Sequence, residues 1–82
     1  MNTYKELKKY RLINSDNRNY VYNTYIVNSE YAIVFDSDAN SWMLIEYDLD
    51  HNMFGEVEYI TYSLESLLTY IKEFIKWKTI NN

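Results

Sequence analysis

The sequence predicts an α+β fold: a four-stranded antiparallel meander sheet with a short N-terminal helix and a longer C-terminal helix packed on one face. Three observations predict it. Apolar residues recur at helical spacing through residues 64–78. The stretch from residue 20 to 62 alternates with period two and is rich in β-branched and aromatic residues. The breaks inside that stretch are short and rich in Asn and Asp, as hairpin turns are.

Taken in chain order, Thr3 and Glu6 have capping-box spacing, with Thr3 as N-cap of a short helix sharing Tyr4, Leu7 and Tyr10 or Arg11 on one face. The polar run Asn14-Ser15-Asp16-Asn17-Arg18-Asn19 reads as a loop. Four strands follow, at residues 20–27, 31–36, 42–48 and 56–62. The C-terminal helix carries Leu64, Leu67, Leu68, Ile71, Phe74 and Ile75 as one stripe. Ser63 is its N-cap, Glu65 suits its positive end, and Lys72, Lys76 and Lys78 suit its negative end.

Alternation also assigns faces. A carboxylate under a helix would carry a large desolvation cost. Glu46, Asp48, Glu56 and Glu58 are therefore expected on the open face, with Trp42, Leu44, Ile60 and Tyr62. Met43, Ile45, Tyr47, Val57, Tyr59 and Thr61 are expected to face the helices.

With 82 residues, 48% of them apolar, the chain is expected to form one globular domain spanning 1–82. It has no cysteine, which excludes disulfides and thiolate metal sites. The first residues carry charges throughout and do not read as a signal peptide. No apolar run approaches the roughly 20 residues a membrane helix needs, so the expected location is the cytoplasm. Proline and glutamine are absent, glycine occurs once, and tyrosine and asparagine each occur ten times, a bias toward AT-rich codons.

The formal net charge is −4, and its distribution is more telling than its sum. Residues 1–18 carry +3 and residues 72–82 carry +2. Residues 19–71 hold nine acids and no Lys or Arg. The simplest meaning of such a stretch is solubility. The sharper meaning rests on the aromatics interleaved with the acids, since aromatics are enriched at interface cores.

Several chemistries have weak support. Ile33–Asn40 and Ile45–Asn52 echo each other twelve residues apart, each ending in D-x-D-x-N, the opening of a calcium loop. The EF-hand glycine position holds Ser41 or Met53, and the bidentate acid position holds Tyr47 or Tyr59. Asp and Asn favour such turns for their own backbone hydrogen bonds. His51 is the sole histidine, too few for a structural zinc site. Asp48/Asp50 and Glu56/Glu58 could hold Mg²⁺ in a nuclease, but no lysine lies near them in sequence. Base stacking on a four-stranded sheet needs cationic phosphate contacts that this sheet lacks. No catalytic residue and no cofactor are therefore expected.

The sequence reads as a small acidic inhibitor that binds a protein partner with a basic surface, rather than nucleic acid or a membrane. Carboxylates on a compact surface imitate phosphates and compete for the groove of a nucleic-acid enzyme. In size, charge and composition the chain is of the type of small acidic phage and mobile-element proteins that block restriction or CRISPR nucleases, although no motif ties it to a family. An immunity protein or antitoxin against a basic toxin nuclease uses the same physics. A divalent-metal protein built on the D-x-D-x-N loops is the third alternative. The expected contact residues are Asp36, Asp38, Trp42, Glu46, Asp48, Asp50, Glu56, Glu58 and Tyr62. An exposed Trp42 and Tyr62 would equally serve a homodimer. Calorimetry with Ca²⁺, Mg²⁺ and Mn²⁺ should find no site tighter than about millimolar, the weak end for calcium modules, and a micromolar site would promote the metal alternative.

Overall fold

The computed structural model describes the backbone of residues 3–17 and 20–81 and the side chains of residues 5–13 and 23–78. Its elements run α1 (Thr3–Leu7), β1 (Arg11–Asn17), β2 (Tyr20–Ile26), β3 (Tyr31–Asp36), β4 (Ser41–Asp48), β5 (Met53–Thr61) and α2 (Leu64–Asn81). The sheet is an antiparallel meander in the order β1-β2-β3-β4-β5. Its shortest dimension, 20 Å, is that of one sheet layer under one helix layer.

The α+β class and the two helices match the sequence reading, but the sheet has five strands, not four. The extra strand is β1, whose residues 14–17 fall in the expected loop, while residues 18 and 19 of that loop lie outside the described residues. It pairs with β2 along its whole length, from Arg11↔Ile26 to Asn17↔Tyr20. Only Leu12 and Ile13 in it are apolar, so the backbone ladder holds a strand that hydrophobic alternation does not announce. The short N-terminal helix is present, but Thr3 lies inside it rather than before it. The Thr3 side chain lies outside the described residues.

The C-terminal helix is capped as its sequence requires. Ser63 Oγ accepts a hydrogen bond from the Ser66 amide at 3.2 Å, satisfying one amide that the helix leaves unpaired. The apolar stripe Leu64, Leu67, Leu68, Ile71 and Phe74 then joins Leu7 of α1, Tyr31 and Ile33 of β3 and Leu44 of β4 in one core cluster. Lys72 Nζ lies 3.5 Å from Glu6 Oε2, linking α2 to α1.

Register shows which residues share a face. The row Tyr25–Ile33–Leu44–Tyr59 crosses the sheet on the helix side, with Phe35–Trp42–Thr61 beside it. On the other side lie Ile26–Ala32–Ile45–Val57 and Thr24–Val34–Met43–Ile60. The expected faces of β4 are thus inverted. Leu44 is fully buried in the core and Trp42 packs against it, whereas Met43, Ile45 and Tyr47 face away from α2. In β5 Tyr59 and Thr61 lie on the helix side as expected, but Val57 does not. The cause is a register shift between Leu44 and Ile45, which leaves Glu58 unpaired as a bulge. A second shift, between Ile45 and Tyr47, places two residues of β5, Gly55 and Glu56, across from Glu46.

The helix-free face is accordingly apolar rather than acidic. Thr24, Ala32, Val34, Ile45 and Tyr47 are buried there, while Val57 and Ile60 are 48% and 57% exposed. Replacing Leu67 or Ile71 with Ala should cost about 2–5 kcal/mol in a denaturant melt, the range for a large-to-small change in a packed core. Tyr62→Ala, at a side chain that is 80% exposed, should move stability by less than about 0.5 kcal/mol.

Candidate functional site

Each hairpin turn from β2 onward opens on an Asx side chain that accepts two backbone amides. Asn28 Oδ1 accepts from Glu30 and Tyr31 at 2.8 and 2.9 Å. Asp36 Oδ1 accepts from Asp38 and Ala39 at 3.0 and 3.3 Å. Asp48 Oδ1 accepts from Asp50 and His51 at 3.0 and 3.2 Å. The two D-x-D-x-N echoes are therefore one turn used twice: the Asp opens it, and Asn40 or Asn52 closes it with φ of 51°, in the left-handed region that Asn tolerates. The Tyr47 hydroxyl secures the second copy by donating to Asn52 Oδ1. Among the described residues no three His, Asp or Glu side chains gather as a metal ion would need.

The meander sends its turns to alternate ends of the sheet, and this divides the predicted contact residues. One end holds the β2–β3 and β4–β5 turns. Here Glu30, Glu46 and Asp48 line an open cleft of about 560 Å³ with Tyr47, Phe54 and Gly55. Asp50 and Glu56 stand exposed beside it in sequence. The Tyr47 amide donates to the Glu30 carbonyl at 2.8 Å, tying the first turn to β4. Asp36 and Asp38 lie at the opposite end, in the β3–β4 turn.

Glu46 shares the helix-side face with Leu44, yet it stays exposed because its side chain leans toward the edge strand. Its Oε1 accepts the Glu56 amide at 2.9 Å, pairing a donor that the bulge would otherwise strand. Only glycine leaves room for this: a Cβ on Gly55 would stand 2.9 Å from Glu46 Oε1 and 3.1 Å from Glu46 Cβ. Glu46 is thus a structural residue as well as a surface charge. Glu58 also has an internal partner, the Tyr70 hydroxyl of α2, which donates to its Oε1 at 3.3 Å. Burial and this carboxylate push the Tyr70 hydroxyl above its ordinary pKa.

Trp42 and Tyr62 belong to the other end. They line a second pocket of about 440 Å³ with Asn23, Tyr25, Phe35 and Asn40. Phe35 and Trp42 pack with ring centroids 4.8 Å apart, tilted by 50°. The residues expected on a single acidic and aromatic face thus lie at two opposite ends of the sheet. Sequence reasoning missed Glu30 at the first and Asn23, Tyr25, Phe35 and Asn40 at the second. The alternation of turns between ends was the signal that could have found Glu30.

Comparison of the chain with protein-family models, curated proteins and solved structures finds no match. Among the described residues no helix is long and apolar enough to cross a membrane.

His51 Nδ1 lies 2.7 Å from Asp48 Oδ2. The hydrogen bond to Asp48 raises the His51 pKa above its ordinary 6.5, and the same bond lowers Asp48 below its ordinary 3.8. What the pair adds to stability through His51 is complete below pH 6.5 and disappears as pH rises through the raised value. Its contribution through Asp48 is present above pH 3.8 and disappears as pH falls through the lowered value. An NMR titration should give His51 a pKa above 6.5 in the wild type, and Asp48→Asn should return it toward the ordinary value.

Proposed function

We propose that this protein is a non-catalytic binding module whose acidic sheet end docks on a basic protein surface, with a nucleic-acid enzyme as the partner class. One observation carries the reading. Glu30, Glu46 and Asp48 converge on one open cleft from the β2–β3 turn and β4, within a stretch, residues 19–71, that contains no Lys or Arg. An exposed cluster of one sign focuses the field, steers a basic surface into contact and repels phosphate backbones. Competition for a nuclease's phosphate-binding groove, as by a nucleic-acid mimic, is the simplest use of such a surface. An antitoxin would turn the same surface on a basic toxin nuclease.

Glu30, Asp50 and Glu56 are suited to test it, because they are exposed and their carboxylates hold no turn or bulge. In a pull-down, the wild type should retain a basic nucleic-acid-binding protein at low salt. It should release that protein near 0.5 M salt, where the Debye length is only about 4–5 Å. The combined Glu30→Lys, Asp50→Lys and Glu56→Lys variant should melt like the wild type and lose the partner. A partner held equally well by this variant, or held independently of salt, would sink the proposal.

A further inference from the structure

The aromatic pocket at the far end from the acidic cleft has a chemistry of its own. Four rings, those of Tyr25, Phe35, Trp42 and Tyr62, share one cavity with the amides of Asn23 and Asn40. Among the described residues no charged side chain lines it. Aromatic ring faces are electron-rich, and a cavity walled by several of them attracts organic cations. The protein already makes one such contact internally, where Lys78 Nζ lies 5.9 Å from the centre of the Tyr31 ring and 5.8 Å from that of Phe74.

Among the described residues, the charged side chains next to the pocket in sequence are acidic. All six lining residues come from the stretch that lacks Lys and Arg. The turn that supplies Asn40 also carries Asp36 and Asp38, and Glu65 lies in the first turn of α2, just after Tyr62. This surrounding field disfavours a nucleotide or any other anion and favours a cation. The amide oxygens of Asn23 and Asn40 add hydrogen-bond acceptors. A guanidinium satisfies all these features better than an ammonium does, because it is planar, weakly hydrated, stacks on rings and carries five donors. A volume of about 440 Å³ is within the range of ligand pockets and can take a whole arginine side chain with adjoining backbone.

We infer that this pocket receives an arginine side chain, stacked among Tyr25, Phe35, Trp42 and Tyr62 and hydrogen-bonded to the Asn23 and Asn40 amides. In assigning that arginine to a partner protein, the inference rests on the function proposed above; the preference for a guanidinium does not. The arginine would be the anchor at the centre of the contact, since Arg, Trp and Tyr dominate binding hot spots.

The test needs no partner. In a Trp77→Phe background, Trp42 is the sole indole, because the chain has two tryptophans, and its fluorescence and indole NMR signal report on the pocket. N-acetyl-arginine methylamide is titrated against N-acetyl-citrulline methylamide, which has the same shape without the charge, and against methyl glucoside. The arginine probe should saturate in the millimolar range and bind at least about ten-fold tighter than either neutral probe, the order of a desolvated cation–π contact. Tyr62→Ala should weaken it about five-fold or more, with the circular dichroism of the fold unchanged. Equal or tighter binding of citrulline or glucoside overturns the inference. So does a failure of the arginine probe to saturate, or unchanged binding in Tyr62→Ala. The Glu30→Lys, Asp50→Lys, Glu56→Lys variant should still bind the arginine probe, because its substitutions lie toward the other end. A partner held equally well by this variant, with arginine binding retained, would therefore count against the acidic end alone.

Discussion

The packing of α2 on the middle of the sheet is the constraint on which the rest of the molecule depends. Leu64, Leu67, Leu68, Ile71 and Phe74 meet Tyr31, Ile33 and Leu44, and no other layer covers this side of the strands among the described residues. Once Ile33 and Leu44 face the helix, alternation fixes the direction of every other side chain in β3 and β4. Trp42 must then lie on the helix side and Met43 on the other. Aromatic rings extend the contact toward the edge: Tyr70 stacks on Tyr59 at 4.1 Å, and Phe74 meets Tyr31 edge-on at 5.0 Å. The two bulges in β5 adjust that edge so that Tyr59 stays under the helix while Glu56 and Glu58 remain outside.

What could be read from the sequence follows from which forces leave a local trace. The stripe and cap of α2 do, because helix periodicity and N-cap chemistry are local, and Ser63 caps the helix as its position implies. The strands from β2 to β5 do as well, through alternation and Asx turns. The polar β1 does not, since its ladder to β2 is made by backbone groups that every sequence supplies. Face assignment failed for a different reason. It assumed that the acid-bearing set of a strand cannot lie on the helix side. Glu46 escapes that logic by leaning over Gly55, so a strand can present an acid and a core leucine on the same side. The candidate site was legible as a set of residue types. Its division into an acidic end and an aromatic end was not, because that depends on the strand order.

The acids of the central stretch therefore do two jobs. Asp36 and Asp48 open turns, Glu46 fills a bulge and Glu58 meets Tyr70. Part of the negative charge is thus the by-product of building a tight meander with one glycine and no proline, where Asx side chains take over the turn chemistry. Glu30, Asp50 and Glu56 have no such role among the hydrogen bonds described above, and selection on the surface acts most freely on them. Acids on β5 also protect an edge strand, whose unpaired backbone groups would otherwise recruit a neighbouring chain.

Because every strand pairs only with its neighbour in sequence, the chain can zip itself up. Each hairpin closes a loop of a few residues, and such closures take roughly microseconds. The entropy lost in bringing distant segments together, which slows most sheet proteins, is small here until α2 arrives. That last docking step joins the end of the chain to α1 through Leu7 and the Glu6–Lys72 pair. The sheet pairings are thus local in sequence while the docking of α2 is not, and without α2 in place Ile33 and Leu44 would be open to water.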